Sequence, residues 1–403
     1  MLRVWALEDN AEARQAISLF ESEHPNIEVK LEVGLDNERK TAEDAIKNLN
    51  TEILSGEGPD VFILDGLPID DFSKQGVFHD LSDIYAEARD SGQYYENLLG
   101  AFATEETCEI LPMRYSFPLL ISEKEIVDNL DSFSSLVAIS EEIASNNPNS
   151  RVLCNMAIFD ELFIASYPKF FNQGKLDEEA LKQFFNDVAN LSNIIEQNNK
   201  QNSVLPNPDR STHDFNEIFD DPGFGQIYLL EDSRQILAFE PSWEQEFLQN
   251  EVFMQQNEAD LVRDVLSLNE YACFTPQVCV AVSANSTEID LAESFVQMML
   301  SKQCQAFNHR DGLSVMTSVF DDASEMAFSV TLMDGTNLSI SSLTEEVTKE
   351  DESIFASLDT PVVVDAVVQT AVYEQMQRFF DGEVPLEGAL TDCSTRINLY
   401  LAE

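Results

Sequence analysis

The first 65 residues alternate strand, helix, strand, helix, strand, and that order narrows the fold more than any other feature of the chain. Residues 2–7, LRVWAL, read as a buried strand with Trp5 in its core. Asp9 or Asn10 stands where a helix N-cap belongs. Ala13, Ala16, Ile17 and Phe20 then form one apolar stripe at helical spacing, which Pro25 ends. Ile27, Val29, Leu31 and Val33 alternate with Glu28, Lys30 and Glu32, the pattern of a half-buried strand. Thr41 and Asp44 open a second helix as a loose capping box, with Ala42, Ala45, Ile46, Leu49 and Ile53 on its apolar face and Gly56 after it. A third strand follows at 60–64. A β-α-β-α-β order calls for a mostly parallel sheet with helices on both faces.

The stretch Gly56 to Leu81, GEGPDVFILDGLPIDDFSKQGVFHDL, carries the most functional information. Its strand stops abruptly at Asp65-Gly66, and a short helix closing at Gly76 leads into Phe78-His79-Asp80-Leu81. In open α/β sheets ligands bind beyond the carboxyl ends of the strands, so a carboxylate and a glycine at that end point to a crevice. The bland alternative for Asp65-Gly66 is a simple turn.

A chain of 403 residues is too long for one ordinary core and implies two domains or a two-lobed unit. No apolar run reaches the length of a membrane span. Residues 1–20 read as the start of a folded domain, with no export signal. Lys and Arg number 23 against 74 Asp and Glu, giving 23 − 74 = −51. Such a surface repels nucleic acid and anionic lipid and keeps the protein in solution. The six cysteines form no CxxC pair and have no histidine at metal-ligand spacing, so they read as mostly buried thiols; Cys273 and Cys279 are near enough in sequence to pair.

No GxSxG elbow, HExxH helix, P-loop, GxGxxG or calcium-loop pattern occurs. Among 74 carboxylates, adjacent pairs such as Asp70-Asp71 and Asp220-Asp221 arise by chance and read as solvated helix starts or turns. Nothing in the chain argues for catalysis, for a metal or for a cofactor. Arg114 lies in the apolar run EILPMRYSFPLLIS and needs a partner there, either an internal carboxylate or a ligand. Trp243 fits core or an exposed platform. Residues 123–195 read as mainly helical and 196–225 as a long loop.

Four segments in colinear order carry a family likeness. The first is Gly56 to Leu81. The second, Asn172 to Asp177, is a turn with Gly174-Lys175 before an amphipathic helix. The third is PQVCVAVSANSTEIDLAESFVQMML from Pro276, a strand, a Ser/Asn/Thr turn and a helix with Ala292, Phe295, Val296 and Met299 on one stripe, followed by Gly312-Leu313-Ser314-Val315 with Ser314 where proline is usual. The fourth is the ending, helix Val363–Phe380, Asp381-Gly382, then Leu386 to Tyr400-Leu401. Together they resemble the extracellular solute-binding proteins, family 1, the maltose-binding-like receptors of bacterial ABC importers.

That resemblance implies an α/β, periplasmic-binding-protein-like fold of two discontinuous lobes with a hinge and a central cleft. Residues 1–117 plus 276–322 would form lobe one, and 118–275 plus 323–403 the more helical lobe two. It implies a monomeric, extracytoplasmic receptor, periplasmic or a cell-surface lipoprotein, that closes on a small solute and hands it to a membrane permease. Carbohydrate is the family's commonest solute. A solute sensor feeding a signalling partner keeps the same fold, and a carbohydrate-active hydrolase is the enzymatic rival. By the same resemblance ligand contacts fall on Glu8 and Asp9 after the first strand (alternatively helix caps) and on Asp65 and Gly66; Arg114 and Tyr115 near the hinge are candidates on their own chemistry. Trp243 in the second lobe, Tyr271 and Phe274 flanking the return crossing, and Met316 just after the Gly312 turn are further candidates to line the cleft.

Overall fold

The computed structural model describes residues 1–35, 41–146, 158–202, 236–241, 244, 246–248, 250, 261–268, 271–307, 311–331, 337–340 and 342–402. The amino-terminal alternation is realised as expected. Strands Leu2–Ala6, Val29–Val33 and Val61–Ile63 pair in parallel, joined by helices Ala11–Glu23 and Ala42–Ser55. Asn10 caps the first helix, its Oδ1 accepting from the Ala13 amide at 2.7 Å. Thr41 caps the second through the Asp44 amide at 3.1 Å, and Gly56 ends it in the left-handed region at φ 75°. Local sequence therefore sets both helix boundaries.

The complete sheet runs Leu313–Ser314, Leu111–Ser116, Cys273–Val282, Val61–Ile63, Leu2–Ala6, Val29–Val33, with Thr360–Pro361 pairing Cys273–Phe274 as a seventh strand. It is mixed, not mostly parallel: Cys273–Val282 runs antiparallel to both Val61–Ile63 and Leu111–Ser116. These two long strands are the chain's passages to and from the second half of the molecule, so they cross the sheet in opposed directions. Helices cover both faces. Phe20 and Phe295 meet edge to face, 5.5 Å apart, beneath one face, joining Ala11–Glu23 to Ile289–Leu300. Ala45, Ile46 and Leu49 bury Trp5 and Phe62 on the other.

A second, three-stranded antiparallel sheet has Leu119–Glu123 between Leu237–Phe239 and Leu261–Val265. The run around Arg114 is thus two strands in two sheets, parted at Phe117-Pro118. Helices Phe133–Asn146, Ile158–Ser166, Glu178–Asn202, Ala366–Phe380 and Leu386–Tyr400 enclose a separate core on this sheet. The molecule is accordingly bilobed, of the periplasmic-binding-protein type. Among the described residues no helix is long and apolar enough to cross a membrane.

Three sequence expectations shift. Helix Glu178–Asn202 continues through 196–202, where a loop was expected; the rest of that loop, to 225, lies outside the described residues. Helix Ala366–Phe380 starts three residues later than Val363, because Asp365 caps it by accepting from the Val367 and Val368 amides. The expected lobe limit at 322/323 falls inside helix Thr317–Ser324. Cys108, Cys273, Cys279, Cys304 and Cys393 are free, buried thiols, and Cys154 lies outside the described residues.

Aromatic rings fill the base between the lobes. Phe355 packs against Tyr95, Tyr115, Phe117, Phe247 and Phe320, with centroids 5.0–6.0 Å apart. Four of these pairs meet edge to face and the Phe247 pair is tilted; such packing adds about 0.5–1.5 kcal/mol per pair beyond area burial and makes the base a continuous apolar body.

Candidate functional site

A cavity of about 440 Å³ opens at the carboxyl ends of the parallel strands, within the size range of small-molecule sites. Ala6 to Asn10 line it after the first strand, and Ile63, Asp65 and Gly66 after the third. Thr275 to Val278 line it from the antiparallel crossing strand, whose early half lies at the same sheet edge. Asp311 closes one side, and Val363, Val364, Ala366 and Gln369 face it from the start of helix Ala366–Phe380. The two walls touch where the Ala366 amide donates to the Gly66 carbonyl at 3.2 Å. Gly66 has φ 76°, a left-handed conformation that favours glycine, and a Cβ there would lie 2.9 Å from Leu7 Cδ2, which would have to shift.

Asp65 sits at the floor. Its carboxylate accepts from the consecutive amides of Val278 at 3.0 Å and Cys279 at 3.2 Å. Val278 has φ 49°, a strained state for a β-branched residue that costs about 1–3 kcal/mol. The turn swings two successive N–H groups onto one carboxylate, an anion nest in the crossing strand. Burial pushes the Asp65 carboxyl up to about 7, against the pull of those two amides. Beside it, Asp311 Oδ2 accepts from the Glu12 amide at 3.3 Å. Gly312 next to it has φ 104°, and a Cβ would fall 2.5 Å from Gln277 Oε1 and 2.8 Å from the Tyr115 carbonyl. Only glycine lets the 311–314 segment pass this close.

Behind Thr275 and Gln277 runs a buried network. Gln277 Nε2 donates to Ser116 Oγ at 2.9 Å, and Ser116 Oγ donates to Glu240 Oε1 at 2.9 Å. Thr275 Oγ1 donates to the same oxygen at 3.3 Å, while the Glu240 amide donates to Glu161 Oε1 at 3.1 Å. Burial pushes Glu240 up to about 7 and Glu161 well up, with the Glu240 charge adding to the latter.

Of the ten residues expected at the ligand, the structure brings four together: Glu8, Asp9, Asp65 and Gly66. Asp9 also pairs with Arg14 at 2.5 Å, and the helix cap falls to Asn10 instead. Arg114, Tyr115, Phe274 and Met316 do not line the cavity; they are buried, with exposures of 2, 1, 1 and 2%. Arg114 has found the internal carboxylate: its Nε donates to Glu12 at 2.5 Å and its guanidinium to the Phe307 carbonyl at 2.9 Å. Tyr115 belongs to the aromatic base, Phe274 packs in the core of the crossing strand, and Met316 bridges to Tyr94. Tyr271 is 40% exposed outside the cavity, and Trp243 lies outside the described residues. The sequence reading missed Asn10 as a lining residue, and also Thr275, Gln277, Asp311 and Gln369. Gln277 carried a signal, since it is a lone amide in the apolar run PQVCVAV.

The family model for the bacterial extracellular solute-binding proteins matches residues 6–216. No curated protein matches the chain in sequence. Solved structures match along its whole length. An extracellular solute-binding protein family 1 member from Alicyclobacillus acidocaldarius is 15% identical with a TM-score of 0.54, covering 100% of this chain and 98% of that one. The ABC substrate-binding protein Lmo0181 from Listeria monocytogenes, in complex with cycloalternan, is 16% identical with a TM-score of 0.51 at the same coverage. The maltose/maltodextrin-binding domain MalE from Bdellovibrio bacteriovorus, bound to maltotriose, is 14% identical with a TM-score of 0.52, covering 100% of both chains. At these identities the structures establish the fold, and the family match establishes the kinship. The chain belongs to the bacterial extracellular solute-binding proteins, the non-catalytic, extracytoplasmic receptors that serve ABC importers.

Proposed function

We propose that this receptor captures a saccharide by hinge closure and presents it, as a monomer, to a membrane permease. The cavity lined from both halves of the molecule carries the reading, because a solute held there bridges Asp65 and Gln277 on one wall and Gln369 on the other. A ligand that touches both walls selects the closed form by its differential contacts. Residues 1–117 with 276–324, the limit moved to the end of helix Thr317–Ser324, and 118–275 with the remainder, are the bodies that would move, with the passages at Phe117-Pro118 and along Cys273–Val282 as hinges. Saccharide is favoured by the neutral hydrogen-bonding groups of Asn10, Thr275, Gln277 and Gln369, which suit hydroxyls. It is favoured also by the ligands of the Lmo0181 and Bdellovibrio structures.

Thermal unfolding against saccharides, amino acids, polyamines and sugar phosphates tests this. A solute at 100 times its Kd adds about 2.7 kcal/mol, a shift of several degrees. A selective shift with one saccharide class is expected. Shifts confined to another class would overturn the saccharide assignment.

A further inference from the structure

We propose that the solute is a cationic saccharide, one carrying a free ammonium group among its hydroxyls. The inference rests on the saccharide-receptor reading and concerns the charge of the solute, not the location of the site. Glu8, Asp9, Asp65 and Asp311 all line the cavity, and among the described residues no Lys or Arg does. Asp9 is matched by Arg14. Asp65, which burial pushes up to about 7, has two neutral amides beside it, so an ammonium bound there would favour its ionised form; Asp311 accepts from a backbone amide. A neutral solute entering this space would strip water from carboxylates without replacing their charge partner, a cost that an ammonium removes. The chain's −51 charge acts in the same direction over longer range, raising the local concentration of cations at the mouth. Polyamines satisfy the carboxylates but leave Asn10, Thr275, Gln277 and Gln369 without hydroxyl partners, which favours a saccharide scaffold.

The test is calorimetric titration with three matched sets of di- and trisaccharides: fully deacetylated glucosamine oligomers, their N-acetylated forms, and neutral glucose oligomers. Spermidine is titrated alongside, and each set is run at low and high salt. The free-amine oligomers should bind at least about tenfold tighter than the N-acetylated and neutral ones, equivalent to about 1.4 kcal/mol. That preference should shrink with salt and in Glu8→Gln and Asp311→Asn. Glu8 is exposed and its variant keeps the fold. Neutral oligomers bound equally well or better would overturn the charge inference and leave the saccharide reading standing. Spermidine binding without any saccharide would overturn the saccharide reading and this proposal with it. Failure of every probe to bind would overturn both.

Discussion

Replacing Arg114 separates the two roles its sequence context leaves open. Its guanidinium is 2% exposed and Glu12 is 0% exposed, with Nε to Oε2 at 2.5 Å. The pair joins helix Ala11–Glu23 to strand Leu111–Ser116, and the Phe307 carbonyl takes a second guanidinium proton at 2.9 Å. Arg114→Met strands the Glu12 carboxylate in the interior, and breaking a buried pair in this way costs about 3–5 kcal/mol. In a lobe of this size each kcal/mol moves Tm by about 2–4 °C, so calorimetry should show a fall of roughly 10 °C. Glu12→Leu combined with Arg114→Met removes both charges and should recover most of that loss, since apolar replacement of a whole buried pair is often neutral. Solute affinity well below Tm should change by less than about threefold. A fall in Tm below about 2 °C together with loss of solute binding would refute the reasoning and return Arg114 to the ligand.

Asp65→Ala removes both acceptors of the Val278 and Cys279 amides; it should cost about 3 kcal/mol in denaturant unfolding and weaken solute binding as well. Gly312→Ala places a Cβ 2.8 Å from the Tyr115 carbonyl at φ 104°; a loss of about 2 kcal/mol and a weakened solute response are expected, measured by thermal melts with and without solute. Stability should fall as pH rises from about 4 to about 7: the folded-state values of Asp65 and Glu240 lie near 7, above their ordinary 3.8 and 4.5. In that window the folded state binds more protons than the unfolded one, so the slope is negative. Melts at pH 5 and pH 8 check it, with the higher Tm expected at pH 5; a higher Tm at pH 8 would contradict the burial of these carboxyls.

What the sequence made legible was local or periodic. Thr41 and Asn10 announce their helices because a cap is a contact across three residues. The Ala292, Phe295, Val296, Met299 stripe is buried as its spacing requires. Asp65-Gly66 was readable because a strand that stops at a carboxylate and a glycine marks the sheet edge. The inward or outward direction of a crossing strand was not. Tyr115 and Phe274 sit in runs that are apolar on both faces, so alternation could not say whether they meet core or cleft. Arg114 depended on Glu12, 102 residues earlier. Gln369 depends on a helix from the other half of the molecule, and the strained turn at Val278 is imposed by Asp65, 213 residues away. Such contacts are tertiary and leave no pattern in either segment alone.

The central claim, a solute held in the cleft between Asp65, Gln277, Asp311 and Gln369, is tested most directly by titrating the best-binding saccharide into wild type and into Gln369→Ala, the residue contributed by the opposite wall. The account predicts that the saccharide is recovered unchanged after saturating wild type, and that Gln369→Ala, equally stable, binds at least about tenfold more weakly. Undiminished affinity in Gln369→Ala, or a chemically altered saccharide, would contradict it.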